Sequence, residues 1–164
     1  MKSAAYILMM ALFTGCTTFQ TNTDEPPPAF TRILIVSKLD RTTANYVDQY
    51  VRAFPAGYSV CTVDAGPLAF GNPDSLIRAK ARQCNSQVVL TLNVGQNYQR
   101  TSGKYSYNSN NVLLEMATLP DRKAFWKGLT LVSALRKDAL LPGAVIRQLR
   151  RDGIISGNMP VQQP

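Results

Sequence analysis

Arg32-Ile33-Leu34-Ile35-Val36-Ser37 is the stretch from which the fold of this chain is read. Four consecutive apolar residues, three of them β-branched, specify a strand buried on both faces. Tyr58-Ser-Val-Cys-Thr-Val-Asp64 is a second strand, and Gln87-Val-Val-Leu-Thr-Leu-Asn-Val94 is a third, again nearly continuous in apolar residues. Between the first two, Thr42 or Thr43 caps a helix running to about Phe54, with Tyr46, Val47, Tyr50, Val51 and Phe54 on one stripe. Pro55-Ala-Gly57 ends it. Between the second and third strands, Asn72-Pro-Asp-Ser opens a helix to about Gln83, with Leu76, Ile77 and Ala81 facing inward. The order β-α-β-α-β argues for parallel strands joined by helical crossovers.

After Gly95 the period changes. Gln96 to Asn111 is rich in Asn, Ser, Tyr and Gly and should hold an exposed strand extension and a loop. Val112–Ala117 and Ala124–Leu131 read as a hairpin around Leu119-Pro-Asp-Arg122, a turn with Pro at its second position. A last helix runs from near Asp138 to Asp152, with Pro142 acceptable in its first turn and Gly153 as its cap. The expected fold class is α/β, in the looser α+β sense, with a mixed sheet of about five strands. Residues 31–156 form one domain and 157–164 a flexible tail.

Upstream, Met1-Lys2 supplies one positive charge, and Ser3 to Thr14 runs uncharged through Ile7, Leu8, Met9, Met10, Leu12 and Phe13 to Gly15-Cys16. A short charged region, an apolar region and a small-residue cleavage site make a signal peptide. A cysteine directly after the small residue is what a lipoprotein lipobox requires, so 1–15 reads as a lipoprotein signal peptide and Cys16 as the lipid carrier, an ordinary cleaved signal with a free Cys16 being the alternative. Phe13 stands where Leu is usual. The apolar run is too short to cross ~30 Å of hydrocarbon as a helix of ~20 residues. Two or three acyl chains on one cysteine exceed what stable anchoring needs. In lipoproteins of this class, which the segment resembles, Thr17 rather than Asp after the cysteine favours sorting to the outer membrane, so the domain is expected to face the periplasm. Thr17 to about Ala29 is polar and ends in Pro26-Pro27-Pro28. Residues 16–30 are therefore expected to be a lipidated N-terminus and Pro-rich tether, reaching ~40 Å from the lipid surface.

The 164 residues hold 18 Lys and Arg against 10 Asp and Glu, and no histidine. The commonest general base and the commonest metal ligand are thus missing together. Asp40, Asp48, Asp64 and Asp74 lack metal-loop spacing. Ser75 with Lys80 and Ser133 with Lys137 sit in no recognisable nucleophile context. No catalytic residue, metal or cofactor is expected. With Cys16 assigned to lipid, Cys61 and Cys84 remain. In an oxidising compartment such a pair reads as a disulfide, and two buried thiols are the alternative.

Two surfaces are candidates for binding. Basic residues cluster late, at Arg122, Lys123, Lys127, Arg136, Lys137, Arg147, Arg150 and Arg151, the last three near the end of the last helix, where cations are favoured; they suit anionic lipid, lipopolysaccharide or peptidoglycan carboxylates, or are a solvated helix face and hairpin tip. Tyr98, Tyr105 and Tyr107, interleaved with Arg100 and Lys104, suit sugar stacking or a protein interface, or are strand residues of an exposed hairpin. Nucleic acid is not a partner for a periplasmic domain despite the charge.

Leu113-Leu-Glu-Met-Ala-Thr-Leu-Pro-Asp-Arg-Lys-Ala-Phe-Trp-Lys-Gly128 resembles the hairpin of a broad group of small proteobacterial lipoproteins, in which a strand and turn lead to Trp and a small residue. Ile146-Arg-Gln-Leu-Arg-Arg-Asp-Gly-Ile-Ile155 is similar to the end of the same group. The resemblance covers residues 31–155 in element order and implies an α/β fold like the anticodon-binding domain. Trp126 and Gly153 match its structural positions, and no activity is implied. The expectation is a non-enzymatic lipoprotein anchored to the outer membrane through acylated Cys16, acting by contacts with an envelope protein in assembly or maintenance of the envelope. A peptidoglycan- or anionic-glycan-binding lipoprotein is the alternative, and a periplasmic hydrolase a remote one.

Overall fold

A computed structural model describes residues 19–39, 45–102, 105–133 and 140–157. Its elements are β1 (Phe19–Thr23), β2 (Arg32–Lys38), α1 (Asp48–Ala53), β3 (Ser59–Asp64), α2 (Pro73–Gln83), β4 (Val88–Ser102), β5 (Tyr105–Thr118), β6 (Ala124–Ser133) and α3 (Pro142–Arg151). The strands form one six-stranded mixed sheet in the order β1-β6-β5-β4-β2-β3. β3, β2 and β4 are parallel, whereas β4, β5, β6 and β1 pair antiparallel in turn.

The apolar run of β2 has the burial its composition calls for, with Ile33, Leu34, Ile35 and Val36 all fully buried. Because side chains alternate along a strand, Ile33 and Ile35 enter the main core and Leu34 and Val36 a smaller second one. The main core lies under α1 and α3. It joins Tyr50 and Phe54 to Leu90 and Leu92 of β4, Leu114 and Met116 of β5, Trp126 of β6, and Val145, Ile146 and Leu149 of α3. Tyr46 donates from its hydroxyl to the Leu140 carbonyl (2.7 Å), tying the α1 side of this layer to the start of α3. Burial pushes the phenols of Tyr46 and Tyr50 above their ordinary range, so both remain neutral donors.

Trp126 closes the antiparallel end of the core. Its indole N–H donates to Asp152 Oδ2 (2.8 Å), and Asp152 Oδ1 accepts from Gln148 Nε2 (2.8 Å). The small residue two places on has a steric cause: a Cβ at Gly128 would lie 2.6 Å from the indole ring. Gly153 follows α3 at φ +73°, the left-handed conformation that ends a helix most readily without a Cβ.

Three expectations need correcting. The tether expected over 16–30 is largely part of the domain. Phe19–Thr23 is an edge strand whose residues pair with Thr130 back to Trp126, and Phe19 packs on the main core. Asp24 N–H then donates to the Phe125 carbonyl (3.2 Å), Lys123 bonds the Glu25 carboxylate, and Pro27 and Pro28 lie half-buried on the way to buried Phe30. β1 brings the sheet to six strands, and the α/β class with a mixed sheet of about that size is as expected. The first helix is shorter than its apolar stripe suggests: Asn45 has φ +70°, Tyr46 and Val47 form a turn, and Val51 is half-exposed while Tyr50 and Phe54 face inward. Thr42 and Thr43 lie outside the described residues. The segment after Gly95 continues as strand on both sides, so β4 and β5 make one long hairpin with a register shift between Val94 and Asn97. Of the last helix, Asp138 lies outside the described residues, and α3 begins at Pro142. No helix among the described residues is long and apolar enough to cross a membrane.

Cys61 on β3 and Cys84 at the end of α2 are joined, with Cα atoms 6.4 Å apart. The bond pins α2 to the edge of the sheet across a sequence separation of 23. Replacing the pair, Cys61→Ser with Cys84→Ser, should cost about 3 kcal/mol in urea unfolding while leaving the circular dichroism spectrum unchanged, since such a bond acts mainly on the unfolded chain. Gly128→Ala should cost about 1–3 kcal/mol in the same assay by forcing the indole out of place.

Candidate binding groove on the open face of the sheet

The two faces of the sheet are covered unequally. Among the described residues, α1 and α3 share one face, while the other carries α2 alone, which contacts β3 and β2. α2 starts on an Asn72 cap whose Oδ1 accepts from Ser75 N–H (3.1 Å), with Pro73 at its first position. Ile77 and Ala81 turn down onto Leu34, Val36, Cys61, Val63 and Val89. The strands beyond β2 on this face are antiparallel, and such a sheet tolerates water on one side.

A groove of about 720 Å³ runs along the boundary, between the flank of α2 and the open strands. Arg78 and Arg82, one helical turn apart, line it from α2, and Lys38 and Arg122 from the strand end and the β5–β6 turn. Thr91, Asn93 and Glu115 contribute from β4 and β5. Thr91 and Glu115 stand opposite each other in register, with Lys127 next across on β6. Glu115 Oε2 lies 3.2 Å from Lys127 Nζ, so that carboxylate already has a cation, and Asp74 is the other acid at the groove. Four cations against these two acids make the groove electropositive. The turn that presents Arg122 is held by Thr118, whose hydroxyl donates to the Asp121 carboxylate and keeps it below the usual carboxylate range.

These residues suit binding better than bond breaking. Arginine forks on two sides of an open channel hold carboxylate, sulfate or phosphate groups bidentately. Ser75 Oγ accepts from Arg78 Nη2 (3.3 Å), and Lys137 lies outside the described residues. Among the described residues, no group of three or more His, Cys, Asp or Glu could hold a metal ion.

The surfaces expected from sequence are dispersed. Cys16 and Lys104 lie outside the described residues. Tyr98 and Arg100 fall on β4, and Tyr105 and Tyr107 on β5, in the hairpin that passes the ends of the parallel strands. Arg147, Arg150 and Arg151 are exposed on α3, over the other face of the sheet. The end of α3 leads to Ser156, whose N–H donates to the Tyr58 hydroxyl (3.1 Å) beside the start of β3. The last arginines and the tyrosine hairpin therefore sit at opposite ends of the sheet and do not make one site. The groove residues Arg78, Arg82 and Lys38 were missed. Their signal was available for α2, since Ile77 and Ala81 inward put Arg78 and Arg82 on its flank.

No family model matches the chain, and no curated protein matches it. Among solved structures, a substituted form of the PelC dodecamer from Paraburkholderia phytofirmans is similar at 15% identity and TM-score 0.47, over 79% of this chain and 95% of that one. Lipoprotein GNA1162 from Neisseria meningitidis is similar at 14% identity and TM-score 0.41, over 77% of this chain and 99% of that one. At these scores no role is carried over from either.

Proposed function

We propose that this chain is an envelope lipoprotein of the kind its hairpin and last helix resemble, with the anticodon-binding-domain-like fold of that group. It is held by acylated Cys16 to the periplasmic face of the outer membrane and acts by binding, not catalysis. The electropositive groove beside α2 carries this reading. An extended acidic segment of an envelope protein fits it: carboxylates meet Arg78 and Arg82 on one wall and Arg122 at the end, over a floor whose backbone groups are already paired within the sheet. Recognition then rests on side chains, and salt weakens it. The lipobox supports the anchor, and Thr17 after Cys16 supports the outer membrane.

Labelling with an alkynyl fatty acid in the native host, followed by crosslinking and mass spectrometry, tests both parts. The wild type should take up label and Cys16→Ala should not; equal labelling removes the anchor. Arg78→Glu with Arg82→Glu should keep the label and the fold and lose the crosslinked protein. An unchanged crosslink removes the groove as the docking site. Retention of the soluble domain on purified sacculi, lost in the same double variant, would transfer the groove to an anionic glycan.

A further inference from the structure

β2, β3, β4 and β6 run in one direction and finish at one end of the sheet, and β1, antiparallel to β6, starts at that end. Phe19 stands level with Thr130, Val112 and Val94, one step past the last β2–β4 pair, Lys38 with Asn93. The chain therefore enters the domain at the carboxyl end of the parallel strands. From Cys16 to Phe19 it spans at most about 11 Å fully extended. An acylated Cys16 sits where headgroups meet hydrocarbon, and the headgroup layer is itself about 5–7 Å deep. Almost no clearance is left.

The same end carries unburied apolar side chains. The β3–α2 loop, Ala65-Gly-Pro-Leu-Ala-Phe-Gly71, has no charge, and in it Leu68 is 87% and Phe70 97% exposed. The loop has a fixed shape: Gly66 N–H donates to Asp64 Oδ1 (3.0 Å), Ala69 N–H donates to the Gly66 carbonyl (3.0 Å), and Ala65 is anchored by the Ser37 carbonyl (2.8 Å). Leu141, half-exposed at the start of α3, is at this end too. Leu68 and Phe70 are two places apart on one uncharged loop, and together they make an apolar projection of the kind that inserts into a membrane interface.

Resting on the reading that Cys16 is acylated, we infer that this end of the sheet docks on the bilayer, with Leu68 and Phe70 inserted into its interface as a second contact. β1 and β3 are opposite edges of the sheet, five strand spacings or about 24 Å apart. Lipid at one edge and the apolar loop at the other hold the sheet by two points and fix its tilt. The long β4–β5 hairpin lies between them. It keeps its strand pairing for eight residues past the level of Phe19, about 26 Å. Its edges cannot enter hydrocarbon unpaired, so the sheet leans until the hairpin lies along the headgroups, where Gln96-Asn-Tyr-Gln-Arg-Thr-Ser102 has the tyrosine-bearing polar composition of that layer.

The test uses the acylated full-length protein in phosphatidylethanolamine–phosphatidylglycerol vesicles, with and without brominated phospholipid. Trp126 is the sole tryptophan and is 1% exposed, so it supplies a constant background. Phe70→Trp should lose about half or more of its added emission to the bromine atoms, as a residue seated 5–10 Å into the boundary would. Val51→Trp, on the outer side of α1, should lose none. If the protein floats with the vesicles and Phe70→Trp is quenched no more than Val51→Trp, the docking is wrong and the anchor stands. A chain that neither carries lipid nor floats overturns both.

Discussion

The pairing of β1 with β6 is the interaction on which the rest of this structure depends. Five residues, Phe19–Thr23, exchange hydrogen bonds with the strand that carries Trp126 and Gly128. The pairing closes an edge of the sheet, brings Phe19 onto the core, and leads the proline segment back under the domain to Phe30. It also shortens the reach from Cys16 from tens of ångströms to about 11 Å. If Cys16 carries lipid as proposed, a first strand that starts three residues later gives the domain a defined end against the membrane, whereas a long spacer would let it sweep out a volume.

The division of the sheet follows from the directions of its strands. Parallel strands need crossovers, and crossovers supply helices for both faces, which is why Ile33 to Val36 are buried throughout. Antiparallel hairpins need none. Past β4 the second face therefore has no helix over it among the described residues, and Thr91, Glu115 and Lys127 face outward from it in register. The groove is the step between these two regimes. The Cys61–Cys84 bond holds the wall of that step in place at the sheet edge, where α2 is held by a small second core alone.

Much of the fold was legible because it is written in apolar periodicity. The β-α-β-α-β order, the Leu119–Arg122 turn and the Gly153 stop of α3 rest on signals local to a few residues, and the Cys61–Cys84 pair rests on the cysteine count. β1 was not legible. Phe-Gln-Thr-Asn-Thr carries one apolar side chain, and its strand character comes from backbone partners on β6, more than 100 positions along the chain. The β4–β5 extension was legible as an exposed strand extension with a loop, but its length was not, since Asn, Ser and Gln give no alternation to read. Tyr46 and Val47 misled in the opposite direction: they continue the helical stripe, but Tyr46 serves the core from a turn by bonding Leu140. The groove escaped because Lys38, Arg78, Arg82 and Arg122 come from separate segments of the chain, and only the sheet order brings them to one face.

Hydrogen exchange of the β1 amides measures the central claim most directly, on the mature acylated protein and on the domain released from lipid. The β1–β6 pairing predicts that the amides of Phe19–Thr23 bonded to β6 are protected by at least about tenfold over free peptide in both forms, since each exchanges only when the edge opens. Exchange of those amides at the free-peptide rate, with β6 still protected, would contradict it, return residues 16–30 to a free tether, and remove the geometric basis for a fixed orientation on the membrane.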